Sequence, residues 1–345
     1  GLTCAHAAGA IAMVMVGMET EIAPGVSMVN DDILNGVVMM ILFTCVISTI
    51  ITEQSAQRIV LRDKDIVPDN GGRNDDEKFL IPVKYPEYAN NLINLGILMR
   101  NTKLNRGLVA LNVVYDDENM RVNQEKGQRL LEQVTLYAAG SDVRMQTQVR
   151  IAANIANGIK HAFKEFRASE IIIGMHTHKE VSPKFWGEFH QSLFNGLSRQ
   201  IIMARIMQPL NTVRRIQVCV PSRAQFEAGF YRWLERLSRL ADNLECRINF
   251  HGRKDTLELI AEYAHNRHPN MRAEYTEMLH WNELPKLAGT IAKDHIFVVV
   301  KARKGTISYK NAMDRLPDEL TRYYSGTSMM IIFPDQFGDA MDEMT

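Results

Sequence analysis

The run Ile33-Leu-Asn-Gly-Val-Val-Met-Met-Ile-Leu-Phe-Thr-Cys-Val-Ile-Ser-Thr-Ile-Ile51 contains no charged side chain, and the first basic residue of the chain, Arg58, comes only after it. About 20 apolar residues rising 1.5 Å each match a hydrocarbon layer roughly 30 Å thick. A transmembrane helix over about 33–52 is therefore predicted. A second apolar stretch precedes it, Leu2 to Met18, free of Asp, Glu, Lys and Arg. Its small residues Ala5, Ala7, Ala8, Gly9, Ala10 and Ala12 let a helix approach neighbouring helices closely in lipid. Such a helix suits the interior of a bundle, and residues 1–57 read as two membrane helices, about 2–18 and 33–52.

Charge divides the chain at the same place. All 40 basic residues follow residue 57, whereas the first part carries only Glu19, Glu21, Asp31, Asp32 and Glu53. The bias of basic residues toward the cytoplasm puts the chain after Arg58 inside and the acidic connection Glu19–Asp32, with Pro24-Gly25 as its turn, outside. The remainder has only a small positive excess, which gives no reason to propose a nucleic acid partner. The opening stretch lacks the basic start of a signal peptide and begins with Gly, so an upstream part is expected. Cys4, Cys45, Cys219 and Cys246 form no C-x-x-C pair and lie in apolar segments or strands. They point to buried, reduced thiols rather than a disulfide frame.

Residues 58–78 are charged, hold Pro68 and Gly71-Gly72 and show no apolar period, as a cytoplasmic linker does. From Phe79 onward short apolar runs alternate with amphipathic stretches. Strands are predicted at 79–83, 108–115, 143–149, 170–174 and 201–206, with helices at about 87–100, 118–139, 152–166 and 188–197. The succession then repeats: strands at 215–220, 246–250, 271–275, 296–300 and 329–333, with helices at about 225–243, 256–265, 283–293 and 310–323. Both units close on a similar spelling, Gly196-Leu-Ser-Arg-Gln-Ile-Ile and Gly326-Thr-Ser-Met-Met-Ile-Ile. Residues 79–213 and 214–335 thus read as two copies of one α/β domain with a doubly wound parallel sheet, followed by a tail over 336–345.

The run from Ile33 into Ile51-Thr-Glu-Gln-Ser-Ala-Gln-Arg58, with two such domains behind it, resembles the C-terminal part of bacterial sodium/proton antiporters of the monovalent cation:proton antiporter family. That family carries tandem universal-stress-protein-like cytoplasmic domains. The resemblance implies a multi-pass protein of the inner membrane, in contact with membrane lipid, that exchanges a monovalent cation for a proton as a homodimer. Its soluble domains regulate transport or assemble the dimer. Exchange requires intramembrane carboxylates, and neither apolar stretch holds one, which places the ion site upstream.

In nucleotide-binding universal stress proteins a loop G-x2-G-x9-G-[ST] after the fourth strand cradles phosphate on free backbone N–H groups. The matching loop here runs from Gly174 to Gly187 and on to Asn195-Gly196-Leu-Ser198, with Thr177 where the second glycine is expected. Gly187 fits the spacing of the last glycine but is followed by Glu188. After the first strand, Val83 leads into Lys84 where the resemblance calls for an acidic residue. Lys84, Lys179 and Lys184 supply positive charge at strand ends, where open α/β sheets place ligands. An adenine nucleotide in the first domain is thus implied, held by Val83, Lys84, Gly174, Thr177, Gly187, Asn195, Gly196 and Ser198. The second domain keeps only a displaced Gly305.

His176 and His178 have no carboxylate or thiol companion in the sequence and read as loop histidines. Trp186, Trp233 and Trp281 read as packing groups, and Asp255 and Glu258 as carboxylates at a helix start. No nucleophile elbow, Walker lysine or zinc-protease motif is present, so no catalytic residue is assigned. The alternative reading is a membrane-tethered nucleotide-sensing module without transport activity.

Overall fold

The computed structural model describes residues 4–24, 26–44, 77–101, 107–175, 190–194, 196–324 and 326–336, in two compact units, Gly1–Arg73 and Asn74–Thr345. In the smaller unit the alanine-rich stretch forms helix α1, Cys4–Glu19. A short antiparallel hairpin, β1 (Glu21–Ala23) and β2 (Val26–Ser27), turns at Pro24 and leads to helix α2, described over 31–44. The Val29 N–H donates to the Gly17 carbonyl, and a Cβ on Gly17 would stand 2.5 Å from Val29 Cγ2, so the small residue is required for this approach. The 16 residues of α1 rise only about 24 Å, short of a bilayer core. Among the described residues no helix is long and apolar enough to cross a membrane. The second half of the predicted 33–52 span and the linker up to residue 76 lie outside the described residues.

The larger unit is built on one ten-stranded sheet. Its strands are β3 (Phe79–Pro82), β4 (Leu108–Tyr115), β5 (Met145–Ala152), β6 (Glu170–Gly174), β7 (Gln200–Arg205), β8 (Arg215–Cys219), β9 (Arg247–Gly252), β10 (Arg272–Glu277), β11 (His295–Val300) and β12 (Ser328–Phe333). Their order is β10-β9-β8-β11-β12-β7-β6-β3-β4-β5. Every pairing is parallel except β7 with β12. Each half therefore has the doubly wound order 3-2-1-4-5, and the antiparallel seam turns the halves so that the carboxyl ends of one set of strands share a sheet edge with the amino ends of the other.

Near-continuous Val, Ile and Leu runs suit strands covered on both faces. Helix α3 (Pro86–Met99) lies on one face, where Gly96 approaches Ile81, Leu108 and Ile172; α4 (Met120–Ala139) and α7 (Phe230–Asn243) pack beside it. On the other face α5 (Ile155–Glu165), α6 (His190–Phe194), α9 (Leu284–Leu287) and α10 (Leu316–Tyr323) enclose one apolar cluster that runs through both halves, from Leu80 and Ile171 to Phe297 and Ile331. Helix α8 (Lys254–Arg267) packs on β9 and β10.

Several predicted helices are interrupted for local reasons. The stretch predicted as one helix over 283–293 is a succession of short 3-10 and α turns, with Pro285 opening α9. Pro317 likewise confines the α-helical part of 310–323 to α10, after a 3-10 turn over Asn311–Arg315. Gly229 stands between the turn Ala224–Phe226 and α7, and a Cβ there would lie 2.4 Å from the Asp335 backbone nitrogen, so the position needs a glycine. Glu77 and Lys78, read from sequence as linker, belong to the fold: Glu77 is buried, and the Lys78 ammonium donates to the Phe166 carbonyl. Cys219 and Cys246 are free and buried, and burial pushes both thiols up, Cys246 to about 11. Both are expected to resist alkylation by iodoacetamide near neutral pH until the unit unfolds, which mass analysis of labelled protein checks.

Candidate functional site

Open parallel sheets seat ligands at the point where strand order reverses, and each half has one such point. In the first half this is between β3 and β6. The Val83 N–H donates to the Leu111 carbonyl, and the Val83 carbonyl accepts from the Asn112 side chain at 2.8 Å. Beyond these bonds the exposed Lys84 leaves the sheet, its ammonium 5.2 Å from the Tyr85 ring centroid. Across the crevice Gly174 ends β6, and the Met175 N–H donates to the Ala204 carbonyl.

Val83, Lys84 and Gly174 thus meet at one edge, but Gly196 and Ser198 do not join them. They lie between α6 and the start of β7, where Gln200 pairs with Glu170 at the amino edge of the same parallel strands. The physical reason is that the Gly-x-Ser spelling is a helix-to-strand turn: Gly196 has φ 91°, the left-handed conformation that ends a helix. The Ser198 carbonyl accepts from the Gln336 N–H, a sheet-edge bond rather than an anion cradle. Ser328, its counterpart in the second half, is buried and accepts from the Met207 N–H. Thr177, Gly187, Asn195, Lys179, Lys184, His176, His178 and Trp186 lie outside the described residues.

In the second half the equivalent bonds recur, with the Val220 N–H donating to the His251 carbonyl and the Lys301 N–H to the Ile332 carbonyl. Where the first half has Gly174-Met175, this half has Val300-Lys301, so a valine stands in place of the glycine and a lysine in place of the methionine. Burial holds the Lys301 ammonium below the usual lysine value, Asp314 opposing and Lys304 adding to the effect. Arg303, in the same loop, bends across the seam and donates to the carbonyls of Leu197 and Arg199 while its guanidinium lies 4.9 Å from the Phe194 ring centroid. Burial holds its pKa down at about 10, against the opposing charge of Asp335.

Beside this loop a cleft of about 270 Å³ is lined by Ser222, Arg223, Arg253, Asp255 and Lys310, contributed by the ends of β8 and β9 and by the loop after β11. A more open groove of about 480 Å³ continues over Arg253, Lys254, Asp255, Glu258 and Glu277. Arg223 occupies the left-handed backbone region with φ 67°, a strained position for a residue with a Cβ. Asp255 accepts from the Gln225 amide and stands 3.9 Å from the Arg253 guanidinium, so part of its charge is already answered. The start of α8 adds backbone N–H groups and a favourable dipole. Three cations from separate loops around one cleft suit an anion such as a phosphate group. None of these residues was singled out from the sequence as binding; the signal available was the density of Lys and Arg in the loops following β8, β9 and β11, against Asp116-Asp117-Glu118 after β4.

No family model matches the chain. Among curated proteins it is 20% identical over 256 residues to the Na(+)/H(+) antiporter NhaS5 of Synechocystis sp. (strain ATCC 27184 / PCC 6803 / Kazusa), an alignment covering 69% of this chain and 37% of that protein. The chain resembles part of a sodium/proton antiporter. It spans about 37% of the length of that relative. The fold agrees: a universal stress protein from Archaeoglobus fulgidus DSM 4304 superposes with TM-score 0.52 at 12% identity, covering 76% of this chain and 98% of the other. The cytoplasmic domain of a prokaryotic cation chloride cotransporter does so with TM-score 0.51 at 12% identity, covering 77% and 98%. The larger unit of this antiporter-like chain therefore has the universal-stress fold in tandem.

Proposed function

We propose that the chain is the C-terminal part of a secondary cation/proton antiporter, and that its tandem universal-stress-like unit is cytoplasmic and regulates exchange or assembles the dimer. The observation that carries this reading is the length of the antiporter similarity. An alignment of 256 residues is far longer than the apolar segment and linker together, so most of it must run through the tandem unit. In this reading α1 and α2 belong to the last helices of the exchanger, in contact with lipid, and the groups that bind the cation and proton lie in helices preceding them.

Ligand control of the tail is the finer part of the proposal. Among the described residues, the first half brings Val83, Lys84 and Gly174 together at its edge, with Lys84 as the one exposed cation of the three. The cationic cleft of the second half is the better seat for a phosphate-bearing ligand. Calorimetric titration of the full chain with ATP, ADP, AMP, cyclic dinucleotides and inorganic phosphate tests this. Binding is expected to weaken at least about tenfold in the Arg223→Gln/Lys310→Gln variant, since each lost contact to a charged group contributes roughly 1.5–3 kcal/mol. Binding unchanged in that variant and lost in Lys84→Gln would move the ligand to the first half. No heat with any of them would make both crevices structural. The alternative, a membrane-tethered sensor without transport, predicts that no exchanger helices are encoded upstream of Gly1, which reading the coding sequence decides.

A further inference from the structure

At the outer end of the second half, one imidazole joins two helices. His268 caps the C-terminus of α8, and its ring lies between two carboxylates two helical turns apart on α7: Nδ1 is 2.6 Å from Asp242 Oδ2, and Nε2 is 3.0 Å from Glu235 Oε2. Both nitrogens can donate only when the ring is protonated. A neutral ring keeps one N–H and turns a bare lone pair on the other carboxylate at hydrogen-bond distance, which is repulsive.

The groups facing this ring come from both helices. From α7 come Glu235, Asp242 and Arg239, the last pairing with the other Glu235 oxygen at 2.7 Å. From α8 come Tyr263, whose hydroxyl donates to Glu235 and whose ring centroid is 6.2 Å from the imidazole, and Arg267, close enough to influence Tyr263. His265 on the same helix turn is exposed. The carboxylates prevail: burial alone would lower the histidine pKa, but Glu235 and then Asp242 raise it above the ordinary value.

We propose that His268 is a proton-operated latch, which when charged ties the end of α8 to α7 through Glu235 and Asp242 and when neutral lets that end and the following strand loosen. The strand concerned is β10, which lies at the edge of the sheet and pairs on one side only, with β9. Only the turn Pro269-Asn270-Met271 separates it from His268, whose carbonyl accepts from the Met271 N–H. The latch also sits one ion pair from the junction of the two halves, because Arg239, which holds Glu235, bonds Glu77 of the first half at 2.7 Å and 2.9 Å. The sign is fixed by the direction of the shift. The latch contributes fully below the ordinary histidine value of about 6.5 and is lost as pH rises through the raised folded value.

Amide hydrogen exchange of the full chain at about pH 6 and about pH 9, corrected for the intrinsic rate at each pH, tests the latch. Protection of residues 264–277 is expected to fall severalfold at the higher pH, as the paired hydrogen bonds from the charged ring to Glu235 and Asp242 are lost. Protection of β11 and β12 should stay unchanged. His268→Gln, which cannot be charged, is expected to be loose over 264–277 at both pH values, and His268→Arg, which cannot be discharged, to be protected at both. Equal protection of the unaltered chain at both pH values would overturn the proposal, as would a pH-dependent loss that persists in either variant. If His268→Gln also loses β11 and β12, and so fails to fold, the His268→Arg comparison decides alone.

Discussion

Replacing Arg236 with alanine is expected to destabilise the larger unit by about 3–5 kcal/mol, the cost of leaving a buried charge without its partner. The Arg236 guanidinium is 3% exposed and donates to Glu170 through Nε at 2.8 Å and Nη2 at 2.5 Å, and to Glu77 through Nη1 at 2.6 Å. Glu170 is fully buried, and its other oxygen accepts from the Gln200 amide at 2.7 Å. Arg236 belongs to a row on α7, Arg232, Arg236 and Arg239, whose spacing puts all three on one helix face. Arg232 reaches Asp335 at 3.5 Å, and Asp335 also faces Arg199 at 3.5 Å. The row joins a helix of the second half to the amino edge of the first. The loss should appear as a lower denaturant midpoint with an unchanged slope, followed by tryptophan fluorescence. Arg236→Met combined with Glu170→Gln should recover much of it, because the uncompensated charge goes with its partner. A cost under about 1 kcal/mol for the single change would mean that water reaches this site and that the row is not what joins the halves.

Phe297→Ala is expected to cost a similar amount, about 3–5 kcal/mol, for a different reason. Phe297 is fully buried on β11 and stacks on Tyr324 with centroids 4.3 Å apart and planes at 5°. Tyr324 in turn donates its hydroxyl to the Leu284 carbonyl, so the ring pair fastens α10 and α9 to the sheet. Alanine would leave a cavity in the cluster shared by both halves, whereas Phe297→Leu should cost at most about 1.5 kcal/mol. The same unfolding measurement distinguishes the two.

Acid acts on the ionic row with the opposite sign from the latch at His268. Burial alone would raise Glu77, but Arg236 and Arg239 lower it; Glu235 is likewise lowered, by His268 and Arg239 against burial. Carboxyls lowered in the folded state contribute stability above the ordinary carboxylate value of about 4.3, and that stability is lost as pH falls through the lowered folded values. The unit is therefore expected to be most stable between the carboxylate range and the raised value of His268, which unfolding midpoints measured across pH will show.

Much of this architecture was legible in the amino-acid sequence. The apolar runs at 79–83, 108–115, 170–174, 201–206, 215–220, 296–300 and 329–333 are all strands, because buried parallel strands need uninterrupted apolar residues on both faces. The repeated order of elements revealed two copies. What the pattern could not carry was how the copies join. The antiparallel pairing of β7 with β12 depends on two apolar strands that look alike from either direction, and the arginine row on α7 reads as an ordinary solvated face until Glu77 and Glu170 are placed against it. The proposed site was misread in part for a related reason. A glycine and a serine near a strand end resemble a phosphate loop by spelling, but Gly196 and Ser198 stand at the amino edge, where they close a helix. The basic cleft formed by Arg223, Arg253 and Lys310 comes from loops roughly 30 and 60 residues apart, a separation that only the doubly wound order brings to one edge.

Control of an antiporter by the tandem unit is the proposed function. Its most direct measurement is sodium-driven proton exchange by the intact exchanger in membrane vesicles, compared across pH with and without residues 63–345. Removal of the tail is expected to shift or flatten the pH dependence of exchange while leaving transport itself present, since the ion site is assigned to the preceding helices. Identical exchange at every pH, with and without the tail, would contradict the regulatory role.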